Sequence, residues 1–435
     1  MAEVRKDIAE EMQSRQYFMR LVKSLRRRHR FSVLRILLVA TGLMIALQAI
    51  TVTILQIVSA QRKRNRQEGS FPHPQLSEVP VGENTLQLYD YGSDLYEAML
   101  AAIDAAQESI YLETYIWKDD AVGQAFKDHL ASKAAQGVEV YVVFDSFANT
   151  VVPRDFKVFP ANIHVLKYQA IHRPWHLLDP RRYSLDHRKL LIVDGYTGFI
   201  GGFNIGSLYA TTWRDTHLRM RGPAAAELAQ SFIDFWNRHD PGHERITRHY
   251  PRRFDPLINE RGTDALRLTF PIRGMYIEAI DRAEHSIRLT NAYFVPDQML
   301  LESLKAAAER GVDVQILVPW ISNHVVVDWL ARGYFTDCLK AGLSVFGYRN
   351  MLHAKTCTVD GQWSTIGTAN LDRLSSVGNY EINAEIYSEA LAQQMEGLFK
   401  CDTTNALKLT PDQWFKRPWY AVLGERILSP LRFLM

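Results

Sequence analysis

The chain has 435 residues, of which 47% are hydrophobic, and this length and composition favour two or three folded domains and exclude a disordered protein. Three scattered cysteines are too few for a disulfide framework or a zinc site built on Cys-x-x-Cys. The net charge of +3 combines +10 over residues 1–66 with −7 over the remainder, which argues against a general nucleic-acid-binding domain.

The first predicted element is a membrane-spanning helix at residues 36–60. This stretch has no charged residue, and a helix of its length would rise about 37 Å, enough for a hydrocarbon core of about 30 Å. Ten Lys and Arg residues precede it and four follow closely, so the positive-inside rule predicts residues 1–35 as a basic cytoplasmic head of a single-pass cell-membrane protein. Two alternatives are a cleaved signal peptide, which the long charged leader disfavours, and a buried core helix, which the flanking arginines disfavour.

The soluble part of the chain repeats its own sequence. Residues 102–110 match residues 279–287, and the tetrapeptide that begins at Gly137 matches the one at Gly311. In each copy helical periodicity alternates with short β-branched runs, which predicts an α/β fold. We expect two duplicated α/β/α domains about a pseudo-two-fold axis. The predicted boundaries are a linker at 61–84, the first domain at 85–240, a second linker at 241–264 and the second domain at 265–405.

Residues able to do chemistry recur at matched offsets in the two copies. Both copies contain the motif His-x-Lys-x-x-x-x-Asp, followed from the histidine by an asparagine at +17, an acid at +28 and a polar residue at +30. Four matched offsets in two copies are hard to obtain by chance. The two sets are His187, Lys189, Asp194, Asn204, Asp215 and His217, and His353, Lys355, Asp360, Asn370, Glu381 and Asn383.

The spacing of the motif has a physical reason. A histidine and a lysine two apart at the start of a strand project from the same face of that strand. If the two domains pack about a pseudo-two-fold axis, these faces can meet in one site with an excess of donors and positive charge around a central anion. The two ammonium groups supply the charge that a divalent ion would otherwise provide, so we expect no metal and no cofactor. The sequence therefore predicts a phosphodiester substrate.

The paired motifs resemble the phospholipase D superfamily over residues 80–400, and within it the bacterial cardiolipin synthases. The narrower resemblance rests on residues 213–217 (WRDTH), 291–297 (NAYFVPD) and 351–355 (MLHAK). It implies that two phosphatidylglycerol molecules give cardiolipin and glycerol through a phosphohistidine intermediate. It also implies His187 as the nucleophile and His353 as the general acid and then base, although the sequence alone leaves the two histidines interchangeable.

The same resemblance implies roles for the other motif residues. The lysines and the +17 asparagines would hold the non-bridging oxygens, and each +28 acid would orient a histidine, as the acid of a catalytic triad does. The +30 residues His217 and Asn383 complete the predicted substrate-binding set. Asp194 and Asp360 complete the catalytic motif, but their place at the far end of the strand favours bracing an interface or a loop.

Three other functions are compatible with parts of this pattern. A phospholipase D or a head-group exchange enzyme would use the same residues with water or another alcohol as the acceptor. A membrane-anchored nuclease is disfavoured by the acidic soluble part, and an inactive scaffold is disfavoured by two complete motifs. We expect a phospholipid substrate, phosphatidylglycerol, and a membrane bilayer as partners, with no nucleic acid.

The last predicted element is an amphipathic segment at residues 411–435. It mixes tryptophan, tyrosine, phenylalanine and aliphatic residues with lysine and arginine. This composition is typical of a segment lying at a bilayer interface, and a terminal helix packed on the core fits equally well.

Overall fold

The structure is a computed structural model that divides the chain into two compact units, Met1–Ala60 and Gln61–Met435. Helix α1 (Leu38–Gln61), which lies in the first unit up to Ala60, is long and apolar enough to cross a membrane. The predicted basic head lies outside the described residues except for Arg35. The structure describes residues 35, 38–61, 72–171, 174–239, 242, 245–251 and 255–434.

The second unit is built from two eight-stranded sheets and their covering helices. The strands are β1 (Val79–Val81), β2 (Asn84–Tyr89), β3 (Ser109–Thr114), β4 (Glu139–Asp145), β5 (Ile163–Tyr168), β6 (Leu190–Val193), β7 (Thr197–Gly201), β8 (Trp213–Arg214), β9 (His217–Arg221), β10 (Ile258–Thr263), β11 (Ser286–Asn291), β12 (Asp313–Pro319), β13 (Ser344–Tyr348), β14 (Met351–Leu352), β15 (Lys355–Val359), β16 (Trp363–Gly367), β17 (Glu381–Tyr387) and β18 (Ala406–Lys408). The helices are α2 (Gly92–Ala105), α3 (Ala121–Ala135), α4 (Ser207–Thr211), α5 (Ala224–His239), α6 (Pro271–Arg282), α7 (Gln298–Glu309), α8 (Val325–Lys340), α9 (Arg373–Val377), α10 (Glu389–Thr404), α11 (Pro411–Phe415) and α12 (Trp419–Leu428).

The two sheets have matching topology. The first runs β1-β2-β9-β7-β6-β3-β4-β5 and the second β10-β17-β16-β15-β11-β12-β13-β18. In each, three strands pair in parallel, β3-β4-β5 and β11-β12-β13, and the pairs next to them are antiparallel. The predicted α/β fold with two duplicated halves is confirmed.

Matched local signals encode this repeat. Asp120 and Asp297 cap α3 and α7, because each side chain accepts a hydrogen bond from a backbone N–H of the first helical turn. Just beyond the ends of these helices, Gly137 and Gly311 adopt φ values of 92° and 94°, a left-handed conformation that favours glycine. Each half therefore reverses its chain at the same point and enters the next strand.

The two halves of the second unit share a buried hydrophobic interface. Along β6, Leu190 and Ile192 join a buried cluster with α5, whereas Leu191 and Val193 join another with α2 and α3, so helices cover both faces of the first sheet. The cluster on the α5 side continues into β16, β17 and α10 of the second half. Strand β7 contacts β16 and β17 directly. The chain segments that carry the two motifs therefore lie beside one shared interface.

Both predicted linkers are shorter in the structure. Strand β1 lies within the predicted linker 61–84, where Pro80 occupies an edge strand and Gly82 its turn with a φ of 56°. Strand β10 lies within the predicted linker 241–264 and pairs antiparallel with β17 at the edge of the second sheet. Edge strands tolerate proline and polar residues, so their composition resembles that of a linker.

Candidate active site

The backbone joins each motif histidine to the opposite half. The His187 N–H donates to the carbonyl of Tyr380 at 3.0 Å, and the His353 N–H donates to the carbonyl of Arg214 at 2.7 Å. In both cases the acceptor directly precedes the +28 acid of the other half. The short strands β8 and β14 add a parallel pairing between the halves beside the second histidine. The two motifs are therefore held against each other by symmetric hydrogen bonds.

The acids pair with the histidines across the same interface. His187 Nδ1 lies 3.0 and 2.9 Å from the two carboxylate oxygens of Glu381, and His353 Nδ1 lies 2.7 Å from Asp215 Oδ2. The structure thus brings each acid to a histidine, and it adds that the pairs cross between the halves. A carboxylate that accepts from Nδ1–H fixes the tautomer and leaves Nε2 available for chemistry.

The two lysines lie beside the histidines that precede them in the motif. Lys189 Nζ donates to the His187 carbonyl at 2.7 Å, while Lys355 Nζ donates to the His353 carbonyl and lies 2.9 Å from His353 Nδ1. Burial lowers the pKa of Lys189 to about 7 and that of Lys355 to about 8, because a poorly solvated ammonium group is disfavoured. Binding of an anion between them would favour their charged form.

The lysines act on both histidines. Burial lowers the pKa of His187 well below its usual range and that of His353 to about 3. The ammonium groups of Lys189 and Lys355 contribute to both of these shifts. Because each lysine influences the histidine of the opposite half, the four side chains form one electrostatic site that favours anions.

The two acids differ in protonation. Burial tends to raise the pKa of Asp215, but Lys355 and His353 outweigh this effect and hold it below the usual range. Burial raises the pKa of Glu381 to about 8, even though Lys189 and the hydroxyl of Thr368 oppose the shift. At neutral pH Asp215 is therefore anionic, whereas Glu381 is mostly protonated.

The +17 asparagines follow β7 and β16 and face different surroundings. Asn204 Oδ1 accepts the N–H of Ile116 at 3.1 Å. Asn370 Oδ1 is buried and has no hydrogen-bond partner within the described part of the chain. Asn370 therefore retains an unused polar group beside the motif, whereas Asn204 helps to hold the loop after β3.

The +30 residues pack under the glycines that precede these asparagines. A Cβ on Gly201 would lie 2.7 Å from His217 Nδ1, and one on Gly367 would lie 2.2 Å from Asn383 Oδ1. Asn383 accepts the N–H of Ala369 at 3.2 Å, and burial lowers the pKa of His217 to about 3. This placement indicates that His217 and Asn383 position the glycine–asparagine segments. The substrate contact predicted from the sequence stays a prediction.

Asp194 and Asp360 lie in structural positions within their own halves. Asp194 accepts three backbone N–H bonds from residues 107–109 at 2.8–2.9 Å, and Asp360 accepts three from residues 284–286 at 2.7–2.9 Å. Their carboxylates thus fix the loops that enter β3 and β11. We assign them this role in place of the catalytic one that membership of the motif predicted.

Aromatic side chains that the sequence analysis did not assign flank the histidines. The ring of Tyr115 lies 4.8 Å from that of His187, and the rings of Trp213 and Tyr293 lie 5.2 and 6.0 Å from that of His353. Tyr115 and Tyr293 come one and two residues after equivalent strands of the two copies, a recurrence that could have identified them. Within the described residues, no group of three or more His, Cys, Asp or Glu side chains is arranged to hold a metal ion.

Comparison with known proteins gives consistent matches. The profile of the family described as "Cardiolipin synthase, PLD-like domain" matches residues 99–236 and 276–403. The "Major cardiolipin synthase ClsA" of Bacillus subtilis is 34% identical over 370 residues, which cover 80% of this chain and 76% of that protein. The "Cardiolipin synthase 2" of Staphylococcus epidermidis is 32% identical and covers 80% of this chain and 75% of its own.

Among solved structures, the phosphatidylserine synthase of Haemophilus influenzae superposes with a TM-score of 0.63. The match covers 82% of this chain and 94% of that one, at 13% sequence identity. At this identity the likeness shows a shared fold.

Proposed function

Since this chain belongs to the cardiolipin synthase family of the phospholipase D superfamily, we propose that it joins two phosphatidylglycerol molecules into cardiolipin and releases glycerol. The observation that carries the proposal is the pair of crossed histidine–acid contacts inside one buried, cationic site. Such a site suits a single phosphodiester, whose negative charge grows on its non-bridging oxygens during the reaction.

In the first step His187 Nε2 attacks the phosphorus of one phosphatidylglycerol. The bond from phosphorus to the glycerol head-group oxygen breaks, and His353 transfers a proton to that oxygen. Glycerol leaves, and the phosphatidyl group remains bound covalently to His187. In the second step His353 takes the proton of a hydroxyl of a second phosphatidylglycerol, whose oxygen attacks phosphorus and displaces His187.

The difference between the two acids supports this division of roles. Glu381 is mostly protonated at neutral pH, so it orients His187 without favouring an imidazolium, and an imidazole must be neutral to attack phosphorus. Asp215 stays anionic and favours the cationic form of His353, which a general acid requires. When the substrate anion offsets the charge of the lysines, His353 gains a proton more readily.

Exclusion of water favours transfer to an alcohol over hydrolysis. The side chains of His187 and His353 are only 11% and 6% exposed. In so enclosed a site, the covalent intermediate reacts more often with an alcohol bound there than with bulk water. This observation favours the transferase over the hydrolase alternative.

Product analysis tests the proposal. The full chain, reconstituted in vesicles, is incubated with phosphatidylglycerol labelled in the glycerol head group and in the acyl chains. We expect cardiolipin and free glycerol in equal amounts, and neither from the His353→Ala variant. Phosphatidic acid as the main product would contradict the proposal and identify a hydrolase.

We further propose that α1 crosses the cell membrane once, with residues 1–35 in the cytoplasm. The excess of basic residues before α1 supports this orientation. Labelling of single cysteines introduced at residue 2 and at Tyr196 with an impermeant maleimide tests it in intact cells. Reaction at residue 2 without reaction at Tyr196 would contradict the proposed orientation.

A further inference from the structure

The C-terminal segment presents its apolar residues to solvent. Trp419, Tyr420 and Leu423 of α12 are 75%, 62% and 47% exposed, and Phe415 at the end of α11 is 47% exposed. A helix that packs on a soluble protein normally buries its apolar stripe and exposes its charges. Here a charged residue, Glu425, is among the buried positions of α12, so the usual pattern is reversed.

This exposure does not come from a loose tail, because the other face of the segment is fixed to α8. Trp414 is buried, and its Nε1–H donates to the hydroxyl of Thr336 at 3.0 Å. Arg417 and Glu425 form an ion pair of 2.7 Å that links the start of the segment to α12. Leu428 is fully buried at the end of the helix. The exposed aromatic residues are therefore held in a defined place on the second half.

Helix α8, which supports the C-terminal segment, begins near the active site. Asn323, two residues before α8, accepts a hydrogen bond from the Tyr293 hydroxyl at 2.7 Å. The ring of Tyr293 lies 6.0 Å from that of His353. One helix thus connects the exposed aromatic residues to the side chains around the general acid.

The charges of the segment indicate what covers these residues. Lys416 and Arg426 are exposed, and each lies three or four positions from an exposed apolar residue. Of the two carboxylates in residues 411–434, Glu425 is neutralised by its ion pair and Asp412 lies at the start of α11. The surface is therefore aromatic and cationic, a combination that suits the headgroup region of an anionic membrane.

We propose that this C-terminal face docks the catalytic unit onto an anionic phospholipid bilayer and holds the active site against the membrane that contains its substrate. The face consists of Phe415, Lys416, Trp419, Tyr420, Leu423 and Arg426. The lipid nature of the substrate rests on the proposed function, whereas the docking itself rests on exposure and charge.

Fluorescence quenching tests the docking without requiring the reaction. The full chain is reconstituted in phosphatidylglycerol bilayers with and without brominated acyl chains, and the emission of the wild type is compared with that of Trp419→Phe and Trp414→Phe. We expect bromine to remove most of the emission due to Trp419 and little of that due to the buried Trp414. Unquenched emission from Trp419 would overturn the proposal. Protection of Trp419 from both bromine and aqueous iodide would also overturn it, because another protein or a second copy would then cover the face.

An activity ratio tests the consequence for catalysis. In the variant Trp419→Ser, Tyr420→Ser, Leu423→Ser, we expect the ratio of cardiolipin formation in vesicles to that in detergent micelles to fall about tenfold, since three apolar anchors are lost. Tyr196→Ser, which removes an equally exposed tyrosine beside Asp194, should keep the wild-type ratio. An unchanged ratio in the triple variant would overturn the proposal. If the chain makes no cardiolipin at all, only the proposed function fails, because quenching does not depend on turnover.

Discussion

The first and second halves of the soluble unit carry the same strands and the same motif, but they supply different acids to the shared site. At +15 from the histidine the first half has Gly202, where a Cβ would lie 2.0 Å from Asp215 Oδ1. The second half has Thr368, whose hydroxyl donates to Glu381 at 2.6 Å. Duplication thus explains the matched shape of the two halves of the site. Divergence at these positions supports the proposed roles, in which His187 attacks and His353 transfers protons.

The largest effect expected is loss of either histidine. His187→Ala and His353→Ala should each lower kcat by at least about 10⁴-fold, because each removes a group that takes part in the proposed reaction. Neither should lower the melting temperature greatly, which thermal unfolding would check. His129→Ala, at a partly exposed histidine paired with Asp104, is the matched control and should keep full activity. Substantial turnover by either active-site variant would show that the site needs only one half.

A smaller effect separates the two acids. Asp215→Asn should cost roughly 10³–10⁴-fold in kcat, because an anion that stabilises His353 as a cation is lost. Glu381→Gln should cost at least about tenfold less, since glutamine resembles the protonated glutamic acid already present. Steady-state rates at neutral pH measure both. Equal losses of kcat in the two variants, or a larger loss in Glu381→Gln, would contradict the difference in protonation between the two acids.

The pH dependence follows from the lysines. Their pKa values, about 7 for Lys189 and about 8 for Lys355, are lower than usual, so the ammonium form that we propose holds the phosphodiester is lost as pH rises through this range. We expect kcat/KM to fall on the alkaline side above about pH 7–8. In the bound complex the substrate anion raises both pKa values, so the fall in kcat should begin at higher pH. Profiles of kcat/KM and kcat from pH 5.5 to about 9.5 test this. If both quantities began to fall at the same alkaline pH, the expectation would be contradicted.

The smallest effect on activity is expected at the two aspartates that end the motifs. Asp194→Ala and Asp360→Ala should each lower the free energy of unfolding by about 1–3 kcal/mol, because three backbone N–H groups lose their acceptor, one of them part-buried and two exposed. They should leave kcat/KM near the wild-type value at temperatures where the variant is folded. Asp281→Ala, an exposed carboxylate on α6, is the control. A loss of rate without a loss of stability would restore the catalytic role predicted from the sequence.

Much of the fold and site could be predicted because the sequence contains its own repeat. Matching offsets located both histidines, both lysines and both acids, and the alternation of helical periodicity with short β-branched runs predicted the α/β fold. These features depend on local spacing, which the sequence records directly. Strands β1 and β10 were missed because edge strands share the composition of linkers.

Other features depend on contacts between the halves, which no local pattern encodes. Sequence spacing could not show that the carboxylate of Asp215 contacts His353 Nδ1 and that of Glu381 contacts His187 Nδ1. The same limit applies to Thr368, whose importance appears only when its hydroxyl meets the carboxyl of Glu381.

The central claim is that the two halves form one site in which a single histidine carries the phosphatidyl group. Stopping the wild-type reaction during turnover with an alkaline denaturant, followed by peptide mass spectrometry, tests it most directly. We predict up to one phosphatidyl group per chain, attached to the peptide that contains His187, and none in His187→Ala. Attachment to His353, or two groups per chain, would contradict the account.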